Sequence, residues 1–399
     1  MNQESVLNLG VSKPVRRYDF DSLKVMGTFA VFIFHCLRFF DLGAWHVKNN
    51  ELNAIASISA IILLQWIMPL FFVLSGASIY FALRFRTPRQ FVQERCMRLL
   101  IPLVFGIFIL SPPQVYLERL TNPRHGVASW DGGLQFSGSF WDFIPYYFQG
   151  FYLFGGNFAW MGMHLWYLLV LFLFSLLFLP LFIYFKQGKG EKLIGTVVKI
   201  LEKPMVIFLL GLPIALLETT LNPTTLGFRT AGGWNLFSYV VFLLGGYFIV
   251  TEQRIEQAVD QNFIPALVFA VFTTLLLLQP DLNQLMRDKN YGSWGYTLMI
   301  TLRSFNSWFW IVAFLGMGRK FLSFSSPTLR YLSEASLPFY MLHQTIIVLI
   351  GFIIATWEIG IFAKFIVLSS FTLTAIAFLY ELLIRRIGLL RFFFGLKPT

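Results

Sequence analysis

The sequence predicts an all-α protein: a polytopic membrane helix bundle of about ten transmembrane helices, with both termini cytoplasmic. Three observations carry this reading. Of 399 residues, 57% are apolar and 13% charged, and the mean hydropathy is +0.67, so there is too little polar surface to cover a water-soluble globule. The apolar residues are gathered into about ten runs. The connections between those runs alternate between rich and poor in lysine and arginine, as the positive-inside rule requires.

The runs lie near 22–40, 54–83, 99–117, 163–185, 204–218, 234–251, 263–279, 294–317, 336–356 and 361–383. A helix needs about 20 residues to cross the hydrocarbon core, so the run at 204–218 is short. With the N-terminus inside, the cytoplasmic connections collect the basic residues up to Lys24, those from Arg84 to Arg98 and from Lys186 to Lys203, then Arg254, Arg319, Lys320, Arg330 and the four from Arg385 to Lys397. That is 22 of the 31 lysines and arginines, an asymmetry that favours an even number of spans. The net charge of +11 therefore belongs to short connections facing anionic headgroups, and no nucleic-acid partner is implied. The segment before residue 20 is polar, carries Lys13, Arg16 and Arg17, and shows no removable signal peptide. Cys36 and Cys96 suggest no disulfide framework. Without an internal repeat or a separate soluble domain, residues 1–399 read as a single integral membrane domain.

The connection at about 118–162 is expected outside. It is rich in glycine and aromatics, including Trp130, Trp141, Tyr146, Tyr147, Phe148, Tyr152 and Trp160. An aromatic belt at headgroup depth explains these rings; a sugar-stacking surface is the sharper alternative.

The first run holds the most informative pattern. At 100° per residue, the eleven steps from Lys24 to His35 return to within about 20° of the same azimuth, with Asp21 on that face too. The rise between Lys24 and His35 is about 16 Å, comparable to the reach of a pantetheine arm. One reading has Asp21 and Lys24 holding the phosphates of a CoA thioester at the cytoplasmic mouth while His35 works near the thioester. The other has a snorkelling Asp21/Lys24 pair and a histidine hydrogen-bonded to a neighbouring helix or relaying protons. Cys36 points about 100° away from His35, so direct transfer is expected over an acyl-cysteine.

Asp21-Ser-Leu-Lys24, followed after ten residues by His35, resembles the D-x-L-R-(x10)-H opening of the acyltransferase 3 family of integral membrane acyltransferases, with lysine in place of the commoner arginine. Phe71-Phe-Val-Leu-Ser-Gly76 and Arg95-Cys-Met-Arg98-Leu-Leu-Ile-Pro102 look like that family's second span and the basic entrance to its third. His164-Leu-Trp-Tyr-Leu-Leu-Val-Leu171 and Leu337-Pro-Phe-Tyr-Met-Leu-His-Gln344 are further matches. The tail from Leu379-Tyr-Glu381 through Arg385 to Gly395-Leu-Lys-Pro398 is similar to the branch associated with succinylation of periplasmic glucans. These ordered motifs across almost the whole chain are together more specific than any one of them.

The resemblance implies an O-acyltransferase that moves an acetyl or succinyl group from acyl-CoA, a donor substrate and not a bound cofactor, to a hydroxyl of a cell-envelope or periplasmic glycan or glycoconjugate at the inner (plasma) membrane. It implies His35 as base, Lys24 at the family arginine position beside Asp21, and Arg95 and Arg98 as contacts of the donor phosphates. Lysine lacks the planar fork of arginine, so bidentate recognition is not expected of Lys24. His164, Trp166, His343 and Gln344 are substrate-binding candidates, the last three also as donors to a developing oxyanion. A sugar hydroxyl is a weak nucleophile at neutral pH, and histidine suits the role of its base.

The remaining polar residues have simpler expectations. Arg84, Arg86 and Arg89 are anchors, Arg38 pairs with Asp41, and Glu218 and Glu381 sit at span ends. Gly245-Gly246, Pro213 and Pro338 are places where a span could break, which keeps open a rival class: a proton-coupled transporter or flippase of a glycan or lipid intermediate. No clustered His/Cys spacing of a metal site and no phosphate-binding glycine loop occurs.

Overall fold

The computed structural model describes residues 16–121, 135–203, 205–221, 229, 232–287 and 291–397. Lys13, Trp130 and Pro398, named above, lie outside them. Among the described residues, seven helices are long and apolar enough to cross a membrane: α1 (Tyr18–Arg38), α2 (Ala54–Phe85), α3 (Pro88–Thr121), α10 (Gln253–Leu277), α12 (Trp294–Phe321), α13 (Pro327–Ile354) and α14 (Ile361–Ile384). Three shorter apolar helices, α5 (Met163–Leu177), α8 (Val206–Thr220) and α9 (Leu236–Ile249), fall on the runs expected at 163–185, 204–218 and 234–251. Four short helices, α4 (Phe140–Tyr147), α6 (Leu179–Tyr184), α7 (Gly188–Leu201) and α11 (Pro280–Arg287), lie in the connections, and α15 (Gly388–Phe393) closes the chain. The outer face of α10 exposes Ile264, Val268, Phe272 and Leu275, spaced by three or four residues, which only lipid solvates well. The chain is a multi-pass membrane protein.

Local sequence explains how the spans start and bend. Asp19 and Asp21 occupy the first turn of α1, where carboxylates meet the positive end of the helix dipole. Asn53 caps α2 through the amides of Ile55 and Ala56. That span is interrupted at Gln65 and Trp66, because Pro69 has no N–H and its ring crowds the carbonyl four residues back. In α3, two π-helical turns, Cys96–Leu100 and Gly106–Leu110, precede Pro102 and Pro112, where the same conflict widens the helix. Consequently α3 begins eleven residues before the apolar run expected from 99, and Arg95 and Arg98 sit inside a continuous helix.

Three expectations change. Glu218 is fully buried rather than interfacial, because the chain after α8 folds back over it. Its carboxylate takes hydrogen bonds from Arg229 Nε at 2.5 Å, Ser238 Oγ at 2.7 Å and the Asn235 amide at 2.9 Å, the pairing a buried charge needs. Pro338 does not break α13, which runs continuously past it. Gly245 and Gly246 do not interrupt α9 either. They let it pack closely: a Cβ on Gly246 would collide with the Val73 carbonyl, and one on Gly76 with that of Leu243, the small-residue packing of membrane helices. Gly246→Ala is expected to destabilise the protein by about 1–3 kcal/mol, read as a lower melting temperature in detergent.

The connection at 118–162 is partly a folded cap. A Ser139/Asp142 capping box starts α4. Val115, Phe143, Tyr147, Tyr152 and Ala159 form their own apolar cluster, and Tyr147 Oη donates to the Ile107 carbonyl at 2.6 Å. Trp141, Tyr146 and Phe148 remain exposed, as an aromatic belt requires. The connection at 186–203 contains amphipathic α7, with Val198 and Leu201 buried and Lys189, Lys192 and Lys199 exposed.

Candidate active site

The site is built on α1, which packs against α2, α12, α13 and α14. Its partner for the polar stripe is α13, running parallel to it. At one end Lys24 Nζ donates to both the carbonyl and Oγ of Ser333, each at 2.7 Å, and Ser333 Oγ in turn donates to Asp21 at 2.7 Å. Lys24 itself lies 3.9 Å from Asp21, and Arg16 pairs with that carboxylate at 2.5 Å. At the other end His343 Nε2 lies 3.1 Å from His35 Nδ1. Ser333, Ser336, Tyr340 and His343, spaced three, four and three apart, are one face of α13. The two helices are thus joined by polar contacts at both ends of the Lys24–His35 stripe.

His164 completes the histidine group. Its ring centre lies 5.1 Å from that of His343 and 6.4 Å from that of His35, while the His35 and His343 centres are 4.8 Å apart. The turn that delivers it is unusual: Gly162 has φ +73° and Met163 φ +56°. A left-handed methionine is strained, and such strain collects at functional sites. Trp45 stands 6.3 Å from His35 and 5.5 Å from His46, so the four described histidines form one neighbourhood.

Carbonyl partners fix the protonation pattern, since a carbonyl only accepts. His343 Nδ1 is 2.6 Å from the Tyr340 carbonyl and therefore carries hydrogen, leaving Nε2 as an acceptor. His35 Nδ1 is 2.9 Å from the Val31 carbonyl and also carries hydrogen, shared between Val31 and His343 Nε2. The lone pair of His35 is then on Nε2. Likewise His164 Nε2 donates to the Met341 carbonyl at 3.0 Å, which leaves a lone pair on Nδ1. The cluster presents acceptors, not donors, to whatever enters it.

Toward the Lys24 end, Arg95 points inward with its guanidinium 4.7 Å over Phe91 and its Nε buried without a partner among the described residues. Arg98 is half-exposed and pairs with Glu94 at 3.4 Å. Tyr167 Oη meets Ser75 Oγ at 2.6 Å, and Tyr340 Oη donates to the His164 carbonyl. These groups extend the polar lining from the basic end toward the histidines.

Two sequence-predicted residues are not brought to the cluster. Trp166 packs beside Tyr239 and Phe72. Gln344, on the face of α13 next to that of His343, donates to Gln114 at 2.9 Å. His343 is present, but its N–H is committed to the Tyr340 carbonyl. Cys36 is fully buried with Phe32, Phe39 and Ile347, away from the polar stripe.

Sequence reasoning missed a buried polar network beyond the histidines, at the end of the bundle opposite Lys24. Glu118 is fully buried and accepts from His46 and from Tyr152 Oη at 2.8 Å, with Arg119 at 3.3 Å. Arg119 also donates to Asn157 at 2.8 Å. Nearby, Asp41 accepts from Arg38 and, at 2.7 Å, from Lys48. Burial pushes the Lys48 ammonium down to about 8, with Asp41 pulling the other way, so it remains charged at neutral pH. The only sequence signal for this network was a Glu-Arg pair at the end of an apolar run; its partners lie in distant connections.

A family model described as an acyltransferase domain matches residues 17–381. Curated relatives include glucans biosynthesis protein C of Salmonella paratyphi B, of Salmonella schwarzengrund and of Salmonella heidelberg. Each is 23% identical over 396 residues, covering 96% of this chain and 95% of its own. No solved structure matches the chain.

Proposed function

The chain belongs to the acyltransferase 3 family, and from that membership we propose that this membrane acyltransferase moves an acetyl or succinyl group from acyl-CoA to a hydroxyl of a cell-envelope or periplasmic glycan. The observation that carries the mechanism is the His35–His343 pair, which leaves the His35 Nε2 lone pair open.

In this reading the Lys24 end faces the cytoplasm at the inner membrane, where the CoA thioester arrives. Lys24, Arg95 and Arg98 meet its phosphates, and the pantetheine arm follows the polar lining for the roughly 16 Å between Lys24 and His35. Asp21 and Ser333 hold Lys24 in place. The glycan enters from the Glu118 side, consistent with the glucan named in its distant relatives. His35 Nε2 takes the hydroxyl proton as the oxygen attacks the thioester carbonyl. The resulting imidazolium is stabilised through Nδ1–H by Val31 and His343. Collapse of the tetrahedral intermediate breaks the carbon–sulfur bond, and His35 returns the proton to the departing thiolate. Protons balance without an external base.

Donor binding is tested by titrating the purified protein with acyl-CoA. Arg95→Ala is expected to weaken affinity by about 1.5–3 kcal/mol, the scale of a charge-assisted hydrogen bond. Arg98→Ala should cost less, because Arg98 is solvated and paired with Glu94. Unchanged affinity in both variants would return these arginines to the role of membrane anchors.

A further inference from the structure

His164 is 6% exposed, and its Nδ1 is buried without a hydrogen-bond partner among the described residues. Because Nε2 is committed to the Met341 carbonyl, this orphan is a lone pair. A buried acceptor left unsatisfied costs about 1–3 kcal/mol, and the strained Met163 backbone just before it adds to the cost of holding it there. Such an atom is explained by a donor that arrives with substrate.

The second open lone pair of the cluster, His35 Nε2, belongs to a ring 6.4 Å away. Two open acceptors on rings this close can be satisfied together by two neighbouring hydroxyls, whose oxygens lie about 2.8 Å apart and each of which reaches a nitrogen at about 2.8 Å. Building on the acyl-transfer reading, we propose that the acceptor is recognised as a vicinal diol: one hydroxyl gives its proton to His35 and is acylated, while its neighbour donates to His164 Nδ1 and sets the position of attack. His164 is then a specificity-determining residue, and the substrate class is a sugar with adjacent free hydroxyls, not an isolated alcohol.

The test compares a glucan oligosaccharide with its deoxy analogue lacking the hydroxyl beside the acylated one, using the full-length protein and acyl-CoA. The wild type is expected to favour the diol by about tenfold to a hundredfold in kcat/KM. His164→Phe, with no acceptor nitrogen, should bring the ratio close to one. His164→Asn, which keeps an acceptor near the Nδ1 position, should retain part of it. The ratio is internal to each preparation, so lower folding yield does not mimic the effect, and acyl-CoA affinity reports the fold. A preference unchanged in His164→Phe, or a loss confined to acyl-CoA affinity, would overturn the proposal, the latter giving Nδ1 to an amide of the donor. Acylation of neither acceptor by the wild type would contradict the acyl-transfer reading itself.

Discussion

His35→Ala is expected to lower the transfer rate by about 10²–10⁴-fold per folded molecule while leaving acyl-CoA affinity within about twofold. The unprotonated nitrogen of His35 makes no hydrogen bond among the described residues, and its other nitrogen is held by Val31 and His343. Removing it removes the proton acceptor and touches nothing in the Lys24 and Arg95 region. A purely structural histidine would lose yield or melting temperature instead, with normal turnover in the surviving molecules. Quantifying glycan acylation against correctly folded protein separates the two.

His343→Leu is expected to reduce kcat by about 10–10³-fold with little change in KM for either substrate. In the proposed mechanism His343 acts through His35: with Val31 it fixes the tautomer that puts the lone pair on Nε2, and it accepts from Nδ1 when His35 becomes charged. In serine hydrolases the carboxylate of the triad has this duty. Here the acceptor is a neutral ring on a parallel helix, held by the Tyr340 carbonyl at 2.6 Å. A rise in KM with unchanged kcat would instead make His343 a substrate contact, as its motif alone suggested.

The parts of the site legible in the sequence are those written into one helix. The Asp21–Lys24–His35 stripe follows from helical periodicity, and the same arithmetic explains why Cys36 is turned into the apolar packing. His343 and Gln344 illustrate the limit. Adjacent residues on a helix point about 100° apart, so only one of them faces α1, and the sequence does not say which. Arg95 and Arg98 diverge for a related reason: the π-helical turn at Cys96–Leu100 alters the register between them, and its cause, Pro102, was visible while its consequence was not. Glu118 and His46 stand 72 residues apart in the chain, and no local pattern announces such a pair. In the fold, apolar runs gave the spans, but the roles of Gly246 and Glu218 depend on how close another helix or returning strand of chain comes.

The histidine cluster is expected to transfer an acyl group supplied from the Lys24 end. The most direct measurement is a single-turnover experiment on the purified protein in proteoliposomes, with acyl-CoA labelled in the acyl group and a glucan acceptor, following CoA thiol release and acyl-glucan ester together. The expected result is one ester formed for each thiol released, with both signals lost in His35→Ala. Movement of glucan or lipid across the vesicle without thioester consumption would contradict it and assign the same histidines to proton-coupled transport.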